Sequence, residues 1–339
     1  MPWRRRTLAL AVTTGFVGLA GAGSALAAPP VPPVTPPATT PTTAAPPAAG
    51  SATLYLPDVF FVRHSAVTVP RRSFHLVGIV RPYVAGEAVT VEARLGRRVI
   101  KTQTVVPAPS ANHSYGHFRV HLASPASGKL TIVVTHTASP QVAAFQARRS
   151  LAVLNEHVGF GSTGRFVQLI QQRLAALHFY IPQTGVYDEG TGLAVDAYHR
   201  LLRQGTSQQL DGRMISFLLD GLGSFRVRFA GHGRHAEGNL SLQLLALVNG
   251  SKVDAIYPIS SGKPSTPTIL GDFHVYSKVP GYLPDGMYYS NFFIRGYAIH
   301  GYDPAPDYPA SHGCMRLPIT DAISVYDWID IGDWVDVYY

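Results

Sequence analysis

The chain has 339 residues, of which 46% are hydrophobic and only 14% charged, so most of it is expected to fold, into two or three domains rather than one. Its formal net charge is +8, but the excess is uneven: residues 224–339 hold 8 Lys and Arg against 11 Asp and Glu, and residues 1–223 hold 20 against 9. The basic half suits an acidic polymeric surface or a merely solvated one, whereas the scattered arginines form no stripe of the kind that binds nucleic acid.

The first residues read as an export signal. Arg4, Arg5 and Arg6 are followed by an apolar run from Leu8 to about Ala22, and Ala25-Leu26-Ala27 is a small-x-small cleavage site. Cleavage after Ala27 is expected, which makes residues 1–27 a signal peptide. The alternative is an uncleaved anchor, the one membrane contact the sequence offers, because no later segment is long and apolar enough to span a bilayer. The expected location is therefore secreted, outside the cytoplasmic membrane. In that setting a single cysteine, Cys314, closes no internal disulfide. It is a reactive thiol, a buried structural residue or an intermolecular link.

Residues 28–50 are almost wholly Ala, Pro, Thr, Val and Gly and read as an extended spacer. Residues 51–154 then alternate apolar and polar in short runs. Ser73–Val80, Ala88–Ala93, His117–Leu122 and Lys129–Val134 are predicted strands, with turns at Arg81-Pro82 and Ala85-Gly86. Several strands at such spacing predict a β-sandwich, similar in type to the Ig-like modules of bacterial surface proteins.

From 158 to 222 the period becomes helical. Phe166, Val167, Leu169, Ile170, Leu174 and Leu177 share one face, and a turn follows at Thr184-Gly185-Val186-Tyr187-Asp188. A second helix starts near Thr191 and carries Leu193, Val195, Ala197, Tyr198, Leu201 and Leu202. This pattern resembles the small three-helix peptidoglycan-binding domain, with Tyr198-His199 where that family usually has an aromatic-glutamine pair. Periodicity alone makes these residues core; wall binding comes from the resemblance.

From Ser224 onward β patterns return. Phe225–Phe229, Leu240–Val248, Lys252–Tyr257, Gly271–Tyr276 and Tyr297–His300 are predicted strands, with Asn249-Gly250 as a hairpin turn. Ile319–Ile329 is predicted helical and Trp334–Tyr338 a last strand. Between them lies Ile299-His300-Gly301, a loop with Pro304, Pro306 and Pro309, and then Ser311-His312-Gly313-Cys314-Met315-Arg316. A thiol becomes a strong nucleophile beside a base or a positive charge. His300 and His312 are candidate bases, Arg316 supplies charge, and the backbone around Gly313 could meet a developing oxyanion. Two histidines and a cysteine also match a catalytic zinc set, although His312 and Cys314 are only two apart and no carboxylate-rich metal motif accompanies them.

Residues 224–339 resemble the L,D-transpeptidase catalytic domain. The family signature, His-Gly, a loop, then Ser-His-Gly-Cys-x-Arg/Asn, runs here from His300 to Arg316. Pro258-Ile259-Ser260-Ser261-Gly262-Lys263, Thr266-Pro267-Thr268 through Gly271-Asp272-Phe273, Gly296–Gly301 and Asp333–Val337 match its other elements. The chain departs from the usual pattern in Tyr302 after His-Gly, in the three prolines of the loop, and in the Ile269-Leu270 insertion.

The resemblance implies a multidomain, mainly β protein with a small α domain, ending in a β-rich catalytic domain. It implies that Cys314 attacks a peptidoglycan stem peptide between the L-centre of a diamino acid and a terminal D-alanine. A thioester would form, and an amine of a second stem would resolve it as a cross-link. His300 would be base and then acid, the Gly301 carbonyl would orient it, and amides around Gly313 and Cys314 would hold the oxyanion. Ser311 and His312 would shape the loop, with His312 as rival base, and Arg316 would fix the loop or meet a substrate carboxylate. Met287, Tyr288 and Tyr289 would line the substrate groove. No metal or organic cofactor is implied, carbapenems would acylate Cys314, and the partners would be peptidoglycan stems and glycan, with acidic wall polymers as a further candidate. Hydrolysis in place of transfer would make the same site a carboxypeptidase. A wall-bound spacer with a silent catalytic domain is the non-enzymatic alternative.

Overall fold

The computed structural model describes residues 45–339; the signal segment 1–27 and most of the 28–50 spacer lie outside them. The last spacer residues are tied down. Ala48 exchanges backbone hydrogen bonds with the segment at Gln141 and Ala143, each 2.9 Å. Among the described residues no helix is long and apolar enough to cross a membrane.

Two β-sheets occupy residues 51–153. One has four strands in the spatial order Ser51–Tyr55, Phe74–Arg81, Gly116–Leu122 and Ala108–Pro109. The other has six, in the order Phe60–Val62, Ser65–Thr68, Phe145–Val153, Gly128–His136, Val89–Leu95 and Arg98–Val105. Alternation sets their faces: Phe74, Leu76 and Val80 of one sheet and Val89, Val91, Leu130 and Ile132 of the other fill the space between them.

Three helices follow: α1 (Arg165–Ala176), α2 (Glu189–Leu201) and α3 (Gly212–Asp220). Asp188 and Asp211 cap α2 and α3, their carboxylates accepting from the amides of Thr191 (2.9 Å) and Met214 (2.7 Å). Their apolar faces do not close on themselves alone. Phe166, Ile170, Leu174, Val195, Tyr198 and Leu218 share one core with Val62 and Val67 of the six-stranded sheet and Val69 just beyond it, and with Leu244, Ala246, Val248 and Ile256 of the C-terminal region.

The C-terminal region holds two sheets. The five-stranded one runs Lys252–Pro258, Leu244–Asn249, Arg234–Asn239, Trp334–Tyr338, Gly271–His274. The four-stranded one runs Ser277–Tyr282, Tyr288–Ile294, Tyr297–Gly301, Met315–Leu317. Leu245, Leu247, Val335 and Val337 pack against Ile299, Met315 and Leu317 between them, with Val325 of α4 (Ile319–Trp328). The expected hairpin forms, Asn249 facing Lys252 across the turn. The expected strand Phe225–Phe229 does not. The amides of Arg228 and Phe229 instead donate to Glu237 Oε1 at 2.8 and 2.9 Å, so this segment is pulled out of any ladder by a buried carboxylate.

The helical segment is bonded to the C-terminal sheet as well as packed on it. The Tyr180 amide donates to the Ile256 carbonyl (3.0 Å) and the Ile256 amide to the His178 carbonyl (2.8 Å), so the sheet's edge strand is covered. Arg200 of α2, 7% exposed, donates from Nη1 to the carbonyls of Gln243 and Ile259, both 3.0 Å, and pairs with Asp196 one turn earlier. Removing the guanidinium strands a buried carboxylate and two carbonyls. Arg200→Met is therefore expected to lower unfolding stability in urea by about 3 to 5 kcal/mol; a loss under about 1 kcal/mol would mean that Arg200 does not brace the two parts.

Candidate active site

Two neighbouring strands bring the key residues together. Tyr297–Gly301 pairs in parallel with Met315–Leu317, and His300 lies opposite Arg316. Side chains alternate along each strand, so His300 and Arg316 project from the face opposite to Ile299 and Met315, which are core. Cys314 is two residues before Arg316 and so shares that face, diagonal to His300. His300, Cys314, Arg316, Ser311, His312 and Met287 all line one cleft of about 500 Å³.

His300 is 2% exposed, and its Nδ1–H donates to the Gly301 carbonyl at 2.8 Å. That bond fixes the tautomer and leaves Nε2 with its lone pair. Burial disfavours the imidazolium, and despite the Gly301 carbonyl the pKa is pulled down to about 4. Burial also pushes the Cys314 thiol above its usual value, against the lowering effects of the Ala298 backbone and Arg316. At neutral pH the site therefore holds a neutral thiol and a neutral base. The thiol's hydrogen bond runs to the Gly296 carbonyl at 3.8 Å rather than to His300.

The loop before Cys314 is built around Ser311, which is 1% exposed. Its hydroxyl donates to the Cys314 carbonyl (2.6 Å) and accepts from the Gly313 amide (3.0 Å). The Ser311 amide donates to the Ser261 carbonyl (2.9 Å), its carbonyl accepts from the Lys263 amide (3.0 Å), and Arg316 exchanges backbone hydrogen bonds with Ser260, both 2.9 Å. Gly313 has φ +119°, and a Cβ there would overlap the Tyr297 ring, so only glycine fits.

This geometry redistributes several expected roles. The Gly313 amide is committed to Ser311 and is not free for an oxyanion, because the tight turn folds it back onto the hydroxyl. His312 is exposed, and its Nε2 accepts from Lys263 Nζ at 3.2 Å, which leaves it poorly placed as a base. Tyr288 and Tyr289 do not line the cleft. Tyr288 stacks near Tyr282 (4.4 Å between rings) and lies opposite Gly301, and Tyr289 meets Tyr326 of α4 at 5.0 Å. Tyrosines in a strand flanked by α4 find aromatic packing there instead. Nor do His300, His312 and Cys314 converge on one point as metal ligands, since each already has a different polar partner. Sequence reasoning passed over Asp285 and Arg295 and gave Tyr297 only as part of a strand; all three line the cleft. It noted Tyr302 only as a departure; here its ring lies 3.9 Å from the Arg316 guanidinium and edge-on to His300 at 5.8 Å. That position beside His-Gly was the available signal.

The cleft thus gathers a thiol, a tautomer-fixed imidazole and the guanidinium groups of Arg295 and Arg316. Comparison with known proteins gives the class. Residues 233–337 match the L,D-transpeptidase catalytic domain family (YkuD), so the chain carries an L,D-transpeptidase catalytic domain. The crystal structure of an L,D-transpeptidase from Xylanimonas cellulosilytica is 29% identical with a TM-score of 0.51, covering 55% of this chain and 98% of that one. That share is more than the catalytic domain alone accounts for. An L,D-transpeptidase from Stackebrandtia nassauensis is 21% identical with a TM-score of 0.35, covering 54% and 95% of the two chains. The catalytic domain of the E. faecium L,D-transpeptidase is 27% identical with a TM-score of 0.29, covering 32% and 98%. No protein of curated function matches the chain.

The resting protonation state is open to a direct check. Alkylation of Cys314 by iodoacetamide is expected to accelerate with pH through and beyond 9, the thiol's ordinary value. A rate that levels off near about pH 7 would instead show a preformed thiolate.

Proposed function

We propose that this protein is an exported peptidoglycan L,D-transpeptidase that uses Cys314 as nucleophile and His300 as general base. The observation that carries the reading is the presence in one cleft of a thiol and an imidazole whose Nδ1 proton is held by the Gly301 carbonyl, inside an L,D-transpeptidase catalytic domain.

In this mechanism the thiol turns from the Gly296 carbonyl toward His300, and Nε2 takes its proton as sulfur attacks the carbonyl carbon next to the terminal D-alanine. The negative oxygen meets the backbone amide of Cys314, since that of Gly313 is occupied. Collapse breaks the peptide bond, His300 returns the proton to the departing D-alanine amine, and a thioester remains on Cys314. The amine of a second stem then attacks, gives its proton to His300, and expels the sulfur, which recovers that proton. Arg316 and Arg295 offer charge to substrate carboxylates. No metal or organic cofactor enters these steps.

The domain roles belong to the same proposal. Residues 51–154 form an Ig-like spacer. Residues 158–222 are a peptidoglycan-binding-like module, in which Tyr198 and His199 serve the fold: Tyr198 is wholly buried and donates to the Leu222 carbonyl (3.0 Å), and His199 Nε2 meets the Gln209 carbonyl (2.9 Å). Glycan contact must therefore come from other surfaces. In this reading the signal is cleaved and the spacer holds the folded part at the cell wall.

Disaccharide-tetrapeptide fragments incubated with the protein, and followed by mass spectrometry, are expected to give a dimer lacking one D-alanine. Cys314→Ala should give none. Loss of D-alanine without dimer would make it a carboxypeptidase, and unchanged fragments would refute the enzymatic reading. The same assay read against pH is expected to fall on the acid side only near about 4, where His300 gains its proton and ceases to be a base. An acid limb near the ordinary histidine value of about 6.5 would contradict a buried, neutral base.

A further inference from the structure

A group of carboxylates and a histidine lies on and beside the five-stranded sheet, among residues that line no part of the Cys314 cleft. Glu237, Asp336 and Asp272 sit side by side on three adjacent strands, Asp336 opposite both of the others. Their chain neighbours Ala236, Val335 and Phe273 pack into the core, so alternation puts all three carboxylates on the other face. Like charges directly opposed across strands repel.

Only one of the three is fully compensated. Glu237 accepts the Arg228 and Phe229 amides on Oε1 and the Tyr338 hydroxyl on Oε2 (2.7 Å), and faces His235 Nε2 at 3.2 Å. Asp336 is wholly buried. Its Oδ1 meets His232 Nδ1 at 2.9 Å, and its Oδ2 has no hydrogen-bond partner. Asp272 is exposed and forms no ion pair with another described residue. A buried carboxylate oxygen without a donor, next to a second carboxylate, calls for a cation.

The ligand atoms are already gathered. His232, Asp272 and Asp336 each present one within 4.8 Å of the others. Tetrahedral coordination with bonds of about 2.0 to 2.2 Å sets ligands about 3.3 to 3.6 Å apart, so modest side-chain rotation, chiefly of exposed Asp272, closes the set. His232 is held by its surroundings: its ring stacks on Trp334 at 4.4 Å and 22°.

We propose that His232, Asp272 and Asp336 bind a divalent first-row transition-metal ion of the zinc type. Two carboxylates match the double charge. One imidazole with two carboxylates favours such an ion over magnesium, which prefers an all-oxygen shell. For Nδ1 to offer its lone pair to the metal, the ring's one hydrogen must sit on Nε2, and any further proton shared between Nδ1 and Asp336 is released to solvent on binding. The ion would clip the Ala230–His232 turn to the edge strand Gly271–His274 and to the last strand Trp334–Tyr338. Its role is structural, fastening the sheet, with the fourth position left for water.

Zinc titration of the full chain by calorimetry, with a parallel thermal melt, tests this. The titration is run with Cys314→Ser so that the thiol takes no metal. One zinc per chain is expected, with a rise in Tm, and magnesium should produce neither. His232→Gln and Asp272→Asn, each checked for native circular dichroism, should each weaken zinc binding by at least about tenfold and remove the Tm rise. Because Asp272 is exposed, that variant keeps the test valid even if His232→Gln unfolds. Zinc binding of equal strength in Asp272→Asn, or no binding by the parent protein, would overturn the site.

Discussion

The arrangement of the cleft depends on one parallel strand pair. With His300 opposite Arg316, the register puts Cys314 on the same face as the imidazole, and a slip of one residue would send Cys314 into the core and Met315 into the cleft. The hydrogen bond from His300 to the carbonyl of the next residue completes the placement, because it settles which nitrogen can accept a proton. A backbone carbonyl here does what a carboxylate does in many triads, without adding a charge that would raise the imidazole's pKa in a buried setting.

The register is in turn held from behind. The segment at Ser260 and Ser261 hydrogen-bonds on one side to Arg316 and on the other to Ser311, so it brackets the Cys314 turn. Its neighbour Ile259 gives its carbonyl to Arg200, which belongs to α2 of the helical segment. A physical line therefore runs from α2 through Ile259 and Ser260 to the strand that begins just after Cys314. The helical segment also shares its apolar core with both flanking β regions, which explains why a small three-helix unit is ordered at all. Its contribution to the site is rigidity of the scaffold.

How far the sequence revealed this depended on how local each feature was. The His300-Gly301 and Ser311–Arg316 stretches could be read because their chemistry is written in adjacent residues, and the Asn249-Gly250 hairpin because turn chemistry is local. Tyr288 and Tyr289 misled because aromatic residues serve grooves and packing alike, and only the position of Tyr326 on α4 decides between them. Phe225–Phe229 has a good strand pattern, yet Glu237, eight or more residues away, takes its amides. The engagement of the Gly313 amide by Ser311 rests on a positive φ that no residue pattern displays. Asp285 and Arg295 reach the cleft from the turns before and after the strand Tyr288–Ile294, a non-local fact.

The central claim is that His300 is a neutral base with its proton on Nδ1. Nitrogen-15 NMR of the imidazole, resolved by comparison with a His300→Gln variant, measures this directly. The account predicts a protonated Nδ1, a bare Nε2, and titration only near about 4. A proton on Nε2 at neutral pH, or titration near the ordinary value of about 6.5, would contradict it.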